Sequence, residues 1–145
     1  MSQFLHVFGS VAAGVEPDAI ADTAEEAWYG DDDLEVVRAP ARGILLTITP
    51  PGKSRPISVE AETDPGRVDT MVREQLDEHE QTPPDVAEKL QRTRQVISIE
   101  IFPETIDDEG WELLDVLQSW LARELKGFVV TDDGIYDSGL QQLAP

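Results

Sequence analysis

Histidine is the side chain best suited to move a proton or hold a metal near neutral pH, and this sequence has two, His6 and His79. Neither belongs to a His-x-His or His-x-x-x-His pair, so a histidine metal centre would need ligands from distant parts of the chain. There is no cysteine, which removes disulfides, thiolate nucleophiles and Cys-ligated zinc or iron–sulfur sites together. Serine chemistry on a nucleophile elbow wants Gly-x-Ser-x-Gly. Phe8-Gly9-Ser10-Val11 and Tyr136-Asp137-Ser138-Gly139 lack the flanking glycines and read as turns. Pro51-Gly52-Lys53-Ser54 echoes the end of a phosphate-binding loop. Position 47, however, where that motif places its first glycine, is Thr, and Arg55-Pro56 follows in place of a helix.

Carboxylates are the remaining reactive groups. Asp132-Asp133-Gly134 followed by Asp137 has some of the letters of a calcium loop but neither its Asp-x-Asp-x-Asp-Gly order nor its distal glutamate, and a tight turn accounts for it. Asp31-Asp32-Asp33 is read as a solvated loop, with weak binding of a hard cation as the alternative. Nothing marks out a catalytic pair. The expectation is a protein without catalytic residues, metal or cofactor, acting by binding.

Thirty acidic side chains face eleven basic ones, for a formal charge of -19 over 145 residues. Only Lys53, Lys89 and Lys126 are lysines, and the arginines are scattered among acids. That balance excludes direct binding to a nucleic-acid backbone and to an anionic membrane surface. Two readings of the charge remain. It serves solubility, as in a salty cytoplasm, or it steers a basic protein to a docking face. For the second, the candidate residues are Trp28 with Asp31, Asp32 and Asp33, then Asp107, Asp108 and Glu109, then Asp132 and Asp133. Trp120 stands nine residues after Trp111, about half a turn round a helix from it. Trp111 is expected in the core. Trp120 either covers the core's edge or serves as a partly exposed anchor for a partner.

These residues need a frame. Apolar residues make up 40% of the chain, sufficient for one ordinary core, and a single domain over 1–145 is expected. Phe4–Val11, Leu34–Val37, Gly43–Thr49, Ile57–Ala61, Val96–Phe102, Phe128–Val130 and Ile135–Tyr136 read as strands, with Gly43–Thr49 and Ile57–Ala61 as a hairpin and Val96–Phe102 central in the sheet. Helices are expected from Pro17 to Trp28, from Pro65 to about Glu80 behind an Asp64 cap, over a turn or two ending near Arg94, and from Asp107 to Lys126. In the last, Trp111, Leu114, Leu117, Leu121 and Leu125 form the apolar stripe and Gly127 occupies the cap position. The fold class is α+β, one mixed or mainly antiparallel sheet with helices packed mainly on one face. Direct parallel pairing of Val96–Phe102 with Phe128–Val130 through the long helix is the preferred local topology. No window is long and apolar enough for a membrane span, and the first residues lack a signal-peptide pattern, so the cytoplasm is expected.

The segments Val96-Ile-Ser-Ile-Glu, Gly110-Trp-Glu-Leu-Leu, Leu121-Ala-Arg-Glu-Leu-Lys-Gly and Asp133-Gly-Ile-Tyr-Asp-Ser-Gly cover about a third of the chain. They resemble small acidic bacterial proteins of uncharacterised or immunity type. The resemblance implies a cytoplasmic protein that neutralises a toxin by occluding it, with no catalysis of its own. It carries over no binding residue. The competing expectations are a structural or house-keeping domain whose acidity is environmental adaptation, and a carboxylate-based metal-dependent enzyme.

Overall fold

The computed structural model describes residues 2–52 and 55–145. Lys53 and Ser54 of the phosphate-loop echo therefore lie outside the described residues. Eight strands form one sheet in the order β2-β3-β4-β5-β1-β6-β7-β8, and every neighbouring pair is antiparallel. The strands are β1 (Gln3–Gly9), β2 (Glu35–Arg38), β3 (Ile44–Thr49), β4 (Ile57–Glu62), β5 (Gln95–Ile101), β6 (Phe128–Thr131), β7 (Gly134–Tyr136) and β8 (Gln142–Ala144). The helices are α1 (Pro17–Ala27), α2 (Pro65–Glu78), α3 (Pro84–Leu90) and α4 (Asp108–Glu124). The architecture is α+β. Among the described residues no helix is long and apolar enough to cross a membrane.

Alternation on the central strands sorts side chains between two cores. Leu5 and Val7 of β1 join Ile97, Ile99 and Ile101 of β5 under α1 and α4, where Ile20, Ala24, Leu113, Leu114, Leu117 and Leu121 complete the larger cluster. Phe8 and Val96 point the other way. They meet Val68 and Val72 of α2, Val86 and Leu90 of α3, and Val130, Ile135 and Ala144 in a smaller cluster. The Gly43–Thr49 and Ile57–Ala61 hairpin forms as β3 and β4. Asp64 caps α2 by accepting from Arg67 N at 3.0 Å.

Three expectations change, the first being that helices pack mainly on one face: α1 and α4 cover one face of the sheet and α2 and α3 the other. β5 and β6 do run in the same direction with α4 between them in sequence, but β1 lies between them and hydrogen-bonds to both. The amino-terminal strand supplies seven paired positions to β5, and a β5–β6 pair would leave those backbone groups without partners. At the end of α4 the left-handed residue is Lys126 (φ 52), not Gly127. Gly127 is required for another reason: a Cβ there would lie 1.8 Å from the carbonyl oxygen of Phe8. Gln142–Ala144 adds a strand for which the sequence carried no expectation. β8 pairs with β7, and Gly134 leaves room for the Ala144 carbonyl, 2.2 Å from where its Cβ would stand.

Candidate functional site: an acidic docking face

α1 stops at Ala27 because Trp28 turns extended, and the Trp28 indole Nε1 then donates to the Asp32 carbonyl at 2.8 Å, closing the α1–β2 loop on itself. Gly30 lets that loop approach α4. A Cβ at Gly30 would stand 2.4 Å from the Trp28 ring and 2.9 Å from Glu109 Oε2. The loop carrying Asp31, Asp32 and Asp33, all exposed, thus lies beside the first turn of α4. Asp107 starts that helix by accepting from Gly110 N at 3.0 Å, and Asp108 and Glu109 occupy the first turn, where the helix dipole favours negative charge. Two of the acidic clusters picked out in the sequence form one surface.

The anchors on that surface are not the expected ones. Trp28 is half-buried and holds the loop; Trp120 is half-buried against the edge of the larger core. The exposed large side chains here are Tyr29 (56% exposed), Trp111 (37%) and Val116 (45%). Trp111 is not in the core because Leu113 and Leu114 are both buried, which rotates the centre of the buried stripe away from position 111. The Glu112 carboxylate close to the Tyr29 hydroxyl, then partial desolvation and the charges of Glu112, Glu109 and Asp108, raise its pKa above the ordinary phenol value.

Charge is unevenly spread over the molecule. No lysine or arginine occurs in 1–37, 95–122 or 127–145, the segments that build β1, α1, β5, most of α4 and β6 to β8. Among the described residues the ion pairs are Arg38–Asp18, Arg67–Glu62 and Arg92–Glu88. None involves Asp31 to Asp33, Asp108, Glu109, Glu112, Asp115, Asp132 or Asp133. α1 and α4 up to Ala122 thus carry acids and no base, with Arg123 in the last turn of α4, while α2 and α3 mix acids with Arg67, Arg73 and Lys89.

On the other flank of α4 a groove of about 500 Å³ runs between the helix, β1, β6, β7 and the β7–β8 loop. Trp111, Asp115 and Gln118, at i, i+4 and i+7, form its helical wall. Asp133, Tyr136 and Leu140 form the opposite one. Ser119 Oγ donates to the Ser138 carbonyl at 2.5 Å and ties the far loop to the helix. Asp132 does not join this site. It lines a separate cavity on the opposite face with His6 and Glu78. Burial lowers the pKa of His6, and the charges of Asp132 and Glu78 oppose that shift.

The other sequence candidates take structural roles. His6 is hydrogen-bonded to Ser98 Oγ at 2.9 Å across the β1–β5 pair. His79 is buried at the end of α2, with Nδ1 at 3.0 Å from the Pro145 backbone oxygen. Asp137 Oδ1 accepts from Gly139 N and Gln141 N at 2.9 Å each, so its carboxylate organises its own turn. Ser10 Oγ donates to the Lys126 carbonyl. Among the described residues no group of three or more histidine, aspartate or glutamate side chains converges on a cation-sized site.

Partial burial against the groove, followed by the charge of Glu112, raises the pKa of Asp115. A carboxylate whose pKa is higher folded than unfolded is destabilising when ionised, so its penalty is absent in acid and sets in as pH rises through the unfolded value. Asp115→Asn is expected to raise stability at pH 7 by up to about 0.5 kcal/mol and to have no such effect near pH 3, as read by urea denaturation at both values.

Comparison with family models, with curated proteins and with solved structures finds no match to this chain.

Proposed function

We propose that the chain is a binding protein that occludes a basic protein partner, with the α1–β2 loop and the first half of α4 as its docking face, and that it carries out no chemistry itself. The observation that carries the reading is the placement of exposed Tyr29, Trp111 and Val116 among Asp31 to Asp33, Asp108, Glu109, Glu112 and Asp115, with no ion pair to any of these carboxylates. Aromatic anchors within a charged surround are the composition of an interface hot spot. The base-free acids of α1 and the first half of α4, beside helices of mixed charge, also favour a directed partner over acidity kept for solubility, which requires no sidedness. An immunity or inhibitor role in the cytoplasm follows as the form of this reading that matches the sequence resemblance.

The test is capture on the immobilised protein from its native cell extract at 0.05 and 0.5 M NaCl. One basic protein held at both salt concentrations is the expected result, because surface contacts made by charge alone are screened at the higher one. A heterogeneous set of basic proteins that all wash off at 0.5 M would overturn the proposal in favour of acidity as environmental adaptation.

A further inference from the structure

The groove beside α4 contains a group that the fold does not use. Gln118 is 6% exposed, lines the groove, and its side-chain amide makes no hydrogen bond to any described residue. The side chain is held between helix and sheet while its amide atoms, which are not among the fully buried unpaired ones, open to the groove. Its donors and acceptor are left for an occupant. The surrounding chemistry selects the kind of occupant. Two carboxylates, Asp115 from the helix and Asp133 from the β6–β7 turn, flank the opening, and no basic residue lines it. Trp111 and Tyr136 are the aromatic side chains that line it, and Leu5, Val129 and Leu140 make the walls apolar.

We infer that this groove receives an arginine side chain of the basic partner, with its aliphatic stem against Leu140 and the aromatic rings and its guanidinium between Asp115 and Asp133, where the Gln118 carbonyl accepts one of its N–H groups. The inference rests on the docking reading above and specifies how one residue of the partner is held. Arginine fits better than lysine because a planar guanidinium presents five donors in a fixed fork, stacks on aromatic faces and loses less hydration than an ammonium. A neutral or anionic side chain would leave the two carboxylates desolvated without a counter-charge. Asp115 and Trp111 also lie on the same helical turns as Asp108 and Glu112, so a chain docked on the acidic face can reach the groove without a second contact area.

The experiment is a ¹H–¹⁵N NMR titration of the full chain with three acetylated, amidated peptides of the form Gly-Gly-X-Gly-Gly, where X is arginine, lysine or citrulline. The side-chain amide of Gln118 and the indole N–H of Trp111 are the reporters. The arginine peptide is expected to shift both saturably with a Kd on the order of 1 mM, lysine several-fold more weakly, and citrulline not at all, since it keeps the shape and loses the charge. Asp115→Asn with Asp133→Asn, both surface substitutions, should abolish the shifts while leaving the remaining spectrum folded. Equal shifts from arginine and citrulline, or shifts confined to residues away from the groove, would overturn the inference. A fourth titration with a deca-arginine peptide separates the two readings. If the amides of Tyr29 and Glu112 move and the Gln118 side chain does not, the groove assignment fails while the docking face stands. If nothing on α4 moves, both fail.

Discussion

Gly127→Ala is expected to destabilise the protein by about 3 kcal/mol, a loss of roughly 6–12 °C in melting temperature for a chain of this size. The cause is contact with backbone. The added methyl would stand 1.8 Å from the Phe8 oxygen and 2.9 Å from the Gly9 Cα, atoms of the central strand β1 that cannot rotate away. Either the α4–β6 connection moves off the sheet or β1 loses register with β6, whose pairing begins at Phe8↔Phe128. Both outcomes loosen Leu125, whose carbonyl accepts from Ser10 N at 2.9 Å and Val11 N at 3.2 Å. Gly14→Ala is the control. Nothing lies within 4 Å of its added methyl, and its stability should stay within about 0.5 kcal/mol of wild type. Urea denaturation of both variants decides the point, and equal stabilities would remove the close approach of Phe8 from the account.

The second large effect belongs to binding. Asp108→Lys, Glu112→Lys and Asp115→Lys together are expected to weaken the complex with the captured basic protein by about 100-fold or more, close to 3 kcal/mol, as measured by calorimetry. All three side chains are exposed on one helix, and none forms an ion pair among the described residues. Each change removes an attraction and adds a repulsion. Stability should hold or rise, because every substitution relieves self-repulsion in a chain of charge -19. Trp111→Ala alone should cost on the order of 30-fold in affinity, the usual cost of truncating an aromatic anchor. The same triple reversal on the mixed face, at Asp69, Glu74 and Asp85, should change affinity by less than about 3-fold. A loss there equal to the loss on α4 would show that net charge, and not this face, drives association.

How far the sequence revealed the fold depended on whether a signal was local. Alternation at Val96–Ile101 and at Ile57–Glu62, the Asp64 cap, the start of α4 near Asp107 and its leucine spacing each follow from a residue and its near neighbours, and the structure has all of them. The placement of β1 between β5 and β6 rests on pairings between residues far apart in sequence, such as Gln3↔Ile101 and Phe8↔Phe128, and no local pattern encodes it. β8 is three residues long, too short for periodicity to show.

The candidate site was legible in part. Composition pointed to the acidic runs, yet only the close approach of Gly30 to Glu109 joins Asp31–Asp33 to the start of α4, and that contact is invisible in one dimension. Asp132 and Asp133 were read as a pair, but they line cavities on opposite faces. Trp111 was misplaced for a physical reason. Its spacing to Leu114, Leu117 and Leu121 fits the buried stripe, and the burial of Leu113 together with Leu114 turns that stripe just far enough to leave it at the margin. Asp115 and Gln118 then follow from Trp111, since the three share one side of α4.

The central claim is that the α1–β2 loop and the first half of α4 form the surface that meets the partner. Amide hydrogen exchange of the chain, free and saturated with the captured basic protein at 0.5 M NaCl, tests it most directly. The account predicts slowed exchange in residues 28–34 and 108–118 and unchanged exchange in α2 and α3. Protection centred on α2 and α3, with 28–34 and 108–118 exchanging as in the free protein, would contradict it.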